Sequence, residues 1–415
     1  MRLPAGTPLT VSLRFAPDDV VTVGRLAWAQ TYAVFEYDPA FIARGLRINP
    51  YLGAPSTAAV VPKRPESFDG LHGVFADSLP DAWGEALFRR RAESEGIVYA
   101  TLNALDRLAW IGAHGMNALT YSPDYSREPL DEPVDLDRFA REAFALVEGK
   151  VDDVVPQLVA LGAPSGGARP KVLVALDEAG RASALDRPGY APWLVKFRGP
   201  HDVEDIARLE AAYADMARAA GLVVSPTRLL GEGSAAYFAT QRFDRVGGGR
   251  LHVLSFAAFL DAQWQVPNGD YDLAMRIVRN VVRDADALEH MYRRMVFNVA
   301  AHNRDDHWKQ HALVMGPDGI WRLAPAYDLT PNAGVGRNNE HYLTVNGRGA
   351  DITRSDLHAV AAAHAIRRPK ADAVIEAVRA AVADFPRYAA AYDVSNATIR
   401  QTEMLLAKAA AALRP

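Results

Sequence analysis

The sequence predicts an α+β chain, β-rich towards its N-terminus and mostly helical in its C-terminal lobe. Three observations predict it. Leu9 to Phe15, Val20 to Trp28 and Thr31 to Tyr37 alternate or run apolar with β-branched residues, as antiparallel strands do. From Ser255 onward helical spacing takes over almost completely. Between the helices one stretch, Val296 to Pro331, breaks the pattern with a crowd of polar residues and a short hairpin.

Taken in order, Asp38-Pro39 ends the third strand and starts a helical turn through Arg44. Gly70 to Pro80 reads as a loop, and Asp81 as the N-cap of a helix over Ala82 to Ala92. Thr101 to Ile111 is a second amphipathic helix ended by Gly112, and Ala118 to Tyr121 a closing strand. Ser122 to Val134, rich in proline and acid, is the expected linker; Asp135 caps a helix to Val147. Val172 to Leu176, Trp193 to Phe197 and Tyr237 to Phe243 are strands, and Asp205 to Ala220 a long helix stopped by Gly221. Helices are expected over Tyr271 to Ala287, Glu289 to Ala301, Arg354 to His364, Ala371 to Val382 and Ser395 to Leu413. The expected organisation is three segments: 1–125, 135–254 and 255–415.

Composition narrows the function classes. The chain has 415 residues, enough for more than one core. Lys and Arg total 46 against 50 Asp and Glu, so no global charge points to nucleic acid. There is no cysteine, which excludes disulfides and thiolate metal sites. The opening residues carry too short an apolar run for a signal peptide, and no stretch is a membrane-span candidate, so a cytoplasmic protein is expected. His72 and His114 lack partners at metal spacing and are expected to be structural. Arg337, Arg348, Arg367, Arg368 and Lys370 could form a basic patch but are more commonly solvated surface.

The chemistry concentrates in Val296 to Pro331. Met295 to Ala301 can be the buried stripe of a helix, and Asp305, Asp306, His307 and Lys309 follow. Ala312 to Met315 and Ile320 to Leu323 are strands around the turn Gly316-Pro317-Asp318-Gly319, and Tyr327-Asp328 comes directly after. Helix, polar loop, hairpin and returning acid are what a kinase needs to set a catalytic base beside a metal-binding acid. Upstream, Gly166-Gly167-Ala168-Arg169-Pro170-Lys171 is a small-residue loop leading into a strand, where backbone N–H groups can approach phosphates and the lysine can neutralise them. It lacks the Walker ending and the following helix. Lys196 sits inside the apolar strand Trp193 to Phe197, where a charge needs a partner; Glu210 on the next helix is the expected one.

These residues resemble the HipA-type toxin serine/threonine kinases. Asn303-Arg304-Asp305-Asp306-His307-Trp308-Lys309-Gln310-His311 with Leu323 to Leu329 is similar to the family's active-site region, Gly166 to Lys171 to its phosphate loop. Leu71 to Asp81 and Leu105 to Leu108 resemble its N-terminal region. The resemblance implies a bilobal protein-kinase-like fold using ATP and Mg²⁺. It implies Asp305 as catalytic base, Asp328 and Gln310 as metal ligands, and His307, Lys309 and Tyr327 near the nucleotide. It also implies Gln241, Arg242 and Phe243 as the hinge at the adenine. The pattern carries asparagine where this chain has Gln310. Pro164 stands where relatives carry a serine that they phosphorylate in themselves, with Ser165 offset by one. Implied partners are a HipB-like helix-turn-helix antitoxin, DNA through it, and a protein substrate, in some relatives an aminoacyl-tRNA synthetase; growth inhibition and persistence follow. Two other readings stay open. His302, Asp305, Asp306, His307, His311 and Asp328 could form the metal cluster of a phosphohydrolase or nuclease, or the shell could be a silent, partner-binding one.

Overall fold

The computed structural model describes residues 1–150, 154–231, 235–335 and 339–414. In chain order the elements are β1 (Leu9–Arg14), β2 (Val20–Ala29), β3 (Tyr32–Tyr37), α1 (Pro39–Ala43), α2 (Gly73–Ala76), α3 (Ala82–Ser94), α4 (Ala104–Ile111), β4 (Leu119–Ser122), α5 (Leu136–Val147) and α6 (Pro156–Gly162). They continue with β5 (Lys171–Leu176), β6 (Ala182–Ser183), β7 (Ala191–Lys196), α7 (Ile206–Ala219), β8 (Thr227–Leu230), β9 (Tyr237–Gln241), β10 (Arg245–Val246), β11 (Gly249–Arg250), β12 (His252–Ser255) and α8 (Phe256–Leu260). The rest comprises β13 (Gly269–Asp270), α9 (Tyr271–Ile277), α10 (Ala285–Ala300), β14 (Ala312–Met315), β15 (Trp321–Leu323), β16 (Leu343–Thr344), α11 (Arg354–Ala363), α12 (Arg368–Ala383), α13 (Phe385–Ala391) and α14 (Asn396–Ala412).

Packing groups these elements differently from the three sequence segments. One compact unit takes 1–202, 230–262 and 314–320, and the other takes 203–229, 263–313 and 321–415. The long helix α7 thus belongs with the C-terminal helices. Its Tyr213 hydroxyl donates to the Ala301 carbonyl, and Tyr213 packs edge-on against Phe385.

In the first unit, β3-β2-β1-β4 form an antiparallel sheet whose inward positions Leu9, Val11, Leu13, Val23 and Leu26 are fully buried. A second antiparallel sheet carries β6, β5, β7 and β9 as successive neighbours. The expected loop from Gly70 to Pro80 contains the short helix α2, because two carboxylates tie it down. Asp261 accepts from the Gly73 N–H at 2.7 Å, and Asp77 accepts from the Ser255 N–H and hydroxyl. Helix α4 starts later than its periodicity suggests, since Asn103 and Asp106 form a reciprocal capping box.

In the second unit, the expected single helix over Tyr271 to Ala287 is interrupted. After α9 the backbone widens into a π-helical turn at Val278–Val282, Arg283 takes a left-handed φ of 59°, and Asp284 caps α10 afresh. The basic residues are paired rather than gathered: Arg348 with Asp356, Arg368 with Asp372, Lys370 with Glu289. Arg337 lies outside the described residues. Among the described residues no helix is long and apolar enough to cross a membrane. His72 contacts the Val60 carbonyl and His114 the Glu128 carboxylate.

Two buried histidines predict the acid limb of stability. His252 is fully buried with Nε2 at 2.8 Å from the Ile48 carbonyl, and burial lowers its pKa from 6.5 to about 4. Burial likewise lowers His302 to about 4. The unfolded chain protonates these groups first. Their contribution is therefore intact above pH 6.5 and fades as pH falls towards 4, by about 1.4 kcal/mol per pH unit for each. Urea unfolding at pH 7, 5 and 4 should show this slope, and His252→Gln, which keeps a donor at the Nε2 position, should flatten it. An unchanged slope in the variant would assign acid sensitivity to other groups.

Candidate active site

The chemistry-bearing residues fall on two constellations, one in each compact unit. The first is the glycine loop from Gly166 to Lys171, expected to be the phosphate loop, with its strands. Gly167 has φ of 92°, a left-handed conformation that favours glycine, and a Cβ there would lie 2.3 Å from the Lys171 ammonium and displace it. Lys171 folds back and donates to the Gly166 carbonyl at 2.7 Å. The Gly166 N–H faces Met116 Sδ at 3.4 Å, and the Gly167 N–H donates to Asp81 Oδ2 at 2.7 Å. Arg169 pairs with Asp202, which also accepts from the Gly199 N–H. Ala168 and Pro170 complete the turn into β5, where the Pro170 carbonyl accepts from Phe197 N–H. Ser165 is fully buried, its hydroxyl donating to the Gly162 carbonyl at 2.6 Å. That hydroxyl is inaccessible to a phosphoryl donor in this conformation.

The register of β5 against β7 sets Lys171 directly opposite Lys196. Side chains of directly opposed residues leave the same face with Cβ atoms roughly 5 Å apart, and like charges there repel. Next in line across the sheet Lys196 faces Phe238, whose ring lies 5.7 Å from its ammonium. Glu210, the expected partner of Lys196, is buried on α7 and belongs to the other unit.

The expected hinge residues, Gln241 to Phe243, lie at the end of β9 and just beyond it. Gln241 opposes Trp193, and the Arg242 N–H donates to the Pro192 carbonyl, which commits that amide to the sheet. Asp244 and Arg245 are not the ordinary exposed pair that the sequence allowed. Asp244 is buried and accepts from Arg242, from Arg245 and from the Asn117 N–H at 2.9 Å. Burial pushes the Asp244 carboxyl up, but the two guanidinium groups outweigh it and hold it far below the usual carboxylate range. Burial lowers Arg245 to about 9 against the pull of Asp244. Phe243 sits between these anchors.

The second constellation is built on the end of α10. The chain leaves the helix through His302 at φ 54°, with His302 Nδ1 against the Asn332 carbonyl. Asp305 follows on an irregular stretch with its side chain 39 % exposed, open to a substrate, and 3.8 Å from His307 Nε2. Burial lowers the His307 pKa despite Asp305 and Asp328, which leaves the ring neutral near pH 7. Its ring lies 4.8 Å from Trp264 and 5.4 Å from Tyr342, while Lys309 Nζ sits 5.1 Å over Trp264. Trp308 points the other way, into the core. Its indole N–H donates to Asn268, and a Cβ on Gly269 would stand 2.0 Å from its ring.

The hairpin returns the second acid as expected. Gly319 N–H closes the turn on Gly316, and Ala324 N–H pairs with Ala312. The Tyr327 hydroxyl donates to the Lys309 carbonyl at 2.7 Å, and Gln310 Nε2 donates to Asp328 Oδ2 at 3.0 Å. Asp328 holds a left-handed φ of 55°, a costly conformation for a residue with a side chain and one found at functional sites. Asp305, His307, Lys309, Gln310, Tyr327 and Asp328 thus lie on one loop and on the segment that follows the returning strand β15.

Asp306 is the buried structural acid of the loop. Its Oδ2 accepts from Tyr271 and His341, both at 2.8 Å, and its Oδ1 from the Tyr342 N–H at 2.9 Å. Asn298 donates to the Tyr271 hydroxyl and accepts from Asn303. Sequence reasoning missed His341, Tyr342, Tyr271 and Trp264, since each comes from a distant segment. Among the described residues no three histidines or acids stand close enough to hold a metal ion, so the hydrolase cluster is not assembled. Asp328 with Gln310 offers hard oxygen donors of the kind Mg²⁺ takes together with phosphates. A cavity of about 350 Å³ near Leu222, His290, Arg294 and Ala324 contains none of the candidate residues.

Residues 19–122 match the HipA N-terminal domain, and residues 163–385 match the HipA-like C-terminal domain. No curated protein matches. Among solved structures, the chain is similar to HipA of Shewanella oneidensis MR-1, determined in a complex with HipB and its operator DNA. The two are 15 % identical with a TM-score of 0.69, over 96 % of each chain. A weaker likeness, 13 % identity and a TM-score of 0.36, covers 58 % of this chain and 94 % of the Helicobacter pylori proinflammatory kinase CtkA. The α+β, kinase-like fold expected from the sequence is the fold of this chain, and with both domain matches in order the chain belongs to the HipA family.

Proposed function

We propose that the protein is an ATP- and Mg²⁺-dependent serine/threonine protein kinase of the HipA toxin type. The observation that carries the reading is the facing pair Lys171 and Lys196 beside a glycine loop. Two lysines at directly opposed strand positions concentrate positive charge on one face, and a polyphosphate is a ligand that suits such a pair. The second constellation supplies the other requirements. Asp305 is the exposed base that accepts the proton of a substrate hydroxyl, and Asp328 and Gln310 are the residues that would hold Mg²⁺. The metal supplies charge neutralisation between phosphate oxygens. His307 and Lys309, ordered by Trp264, add a neutral donor and a cation beside the transferred group. The family pairing of Lys196 with Glu210 belongs to this proposal, as do the hinge amides of Gln241 to Phe243.

A small HipB-like antitoxin is the proposed partner, supported by the complex in which the Shewanella protein was determined. Operator DNA is met through that partner, in keeping with paired surface arginines. A cytoplasmic place and growth inhibition complete the reading.

Calorimetric titration with ATP–Mg²⁺, followed by phosphotransfer to proteins of a cell lysate, tests it. The parent should bind, and Lys196→Ala should bind roughly tenfold to a hundredfold more weakly, the loss of one desolvated charge-assisted contact. Absence of ATP binding in a folded parent would end the kinase reading. Unchanged affinity in Lys196→Ala would reject the role of that lysine.

A further inference from the structure

The phosphate loop already holds an anion of its own. Asp81 was expected to cap helix α3, and it occupies the N-cap position, but its side chain makes no cap hydrogen bond. It reaches instead across 86 residues of sequence, with Oδ2 accepting from the Gly167 N–H at 2.7 Å. The same oxygen stands 3.5 Å from the Cβ position of Gly166. The start of α3 is locked in place around this contact. The Trp83 indole donates to the Lys171 carbonyl at 2.8 Å, and the Trp83 N–H reaches the Gly167 carbonyl at 3.4 Å. At Gly84 an added Cβ would lie 2.3 Å from the Ala163 carbonyl, so only glycine allows this approach.

We propose that Asp81 sets the nucleotide affinity of this loop by competing, as a resident carboxylate, for the amide that a phosphate oxygen takes. The inference rests on the kinase reading and adds a residue to it. A backbone N–H directed at one carboxylate oxygen cannot serve a phosphate at the same moment, and the two anions repel. Of the three groups in the loop that suit a phosphate, the Gly166 amide faces a thioether and Lys171 faces a carbonyl. The Gly167 amide faces a formal negative charge. Binding therefore requires Asp81 to withdraw, and the apparent dissociation constant is the intrinsic one divided by the fraction of time that Asp81 is withdrawn. Because Asp81 heads α3 in the N-terminal domain, any shift of that helix start is transmitted directly to the loop.

The test compares the parent with Asp81→Asn and Asp81→Ala by calorimetry, using ATP–Mg²⁺ and adenosine as separate probes. Asparagine keeps the size and the N-cap preference of the position, and thermal melts check that both variants fold. The expected result is ATP binding tightened by about tenfold in Asp81→Ala, as for a loop nine-tenths occupied by Asp81, with adenosine affinity unchanged. The gain is smaller in Asp81→Asn, whose uncharged amide oxygen can still accept from the Gly167 N–H. Equal or weaker ATP binding in the variants, with the parent binding normally, would show Asp81 to be a buttress of the loop; it would overturn the inference and leave the kinase reading intact. An equal gain for adenosine would also overturn it, since the effect would not act through phosphate. No ATP binding in any of the three proteins removes the kinase reading, and this inference with it.

Discussion

Asp305→Asn should bind ATP–Mg²⁺ like the parent and transfer phosphate roughly 10²–10⁴-fold more slowly. The substitution preserves shape and removes the acceptor charge. Asp305 is exposed at 39 % of its side chain and stands apart from the buried carboxylate beside it, so the loop keeps its form without the charge. On the proposed kinase reading the lysines, Asp328 and Gln310 would remain to hold nucleotide and metal. In cells, the variant should lose any growth inhibition shown by the parent. Single-turnover transfer and an ATP titration of the same variant separate the possibilities. Retained transfer would move the base elsewhere, and lost ATP binding would make Asp305 a ligand rather than a base.

Asp306→Ala has the opposite signature, a loss of fold stability. Its fully buried carboxylate accepts from the Tyr271 hydroxyl, the His341 ring and the Tyr342 N–H. Removal strands these donors in a dry interior. Breaking a buried, hydrogen-bonded charge in this way costs on the order of 3–5 kcal/mol. Denaturant unfolding should show a loss of that size, and transfer should fall with it because Asp306 sets the backbone that presents Asp305. A loss below about 1 kcal/mol, the scale of an exposed pair, would mean that the network is not what holds the loop. Neighbouring aspartates thus separate by experiment: the exposed one should affect rate, the buried one stability.

Much of this was legible along the chain. The strands β1, β2 and β3 follow from alternation, the caps at Asp38 and Asp135 from residue type, and the hairpin after α10 from its Gly-Pro-Asp-Gly turn. The helix break before α10 was hidden because the apolar spacing from Tyr271 to Ala287 runs on without a gap. Only the left-handed Arg283 and the new cap at Asp284 reveal it.

The sequence by itself determined where acids, lysines and glycines crowd together, and that a short turn brings Asp328 back to the loop. Those are local properties, set by residue type and by spacing across a few residues. The tertiary structure alone decided what depends on distant partners. Sheet register places Lys171 opposite Lys196. Packing of the segment around His341 against α9 buries Asp306. Docking of α3 draws the Asp81 side chain away from its own helix and onto the Gly167 amide. Register and burial depend on contacts between segments far apart in sequence, so no local pattern encodes them.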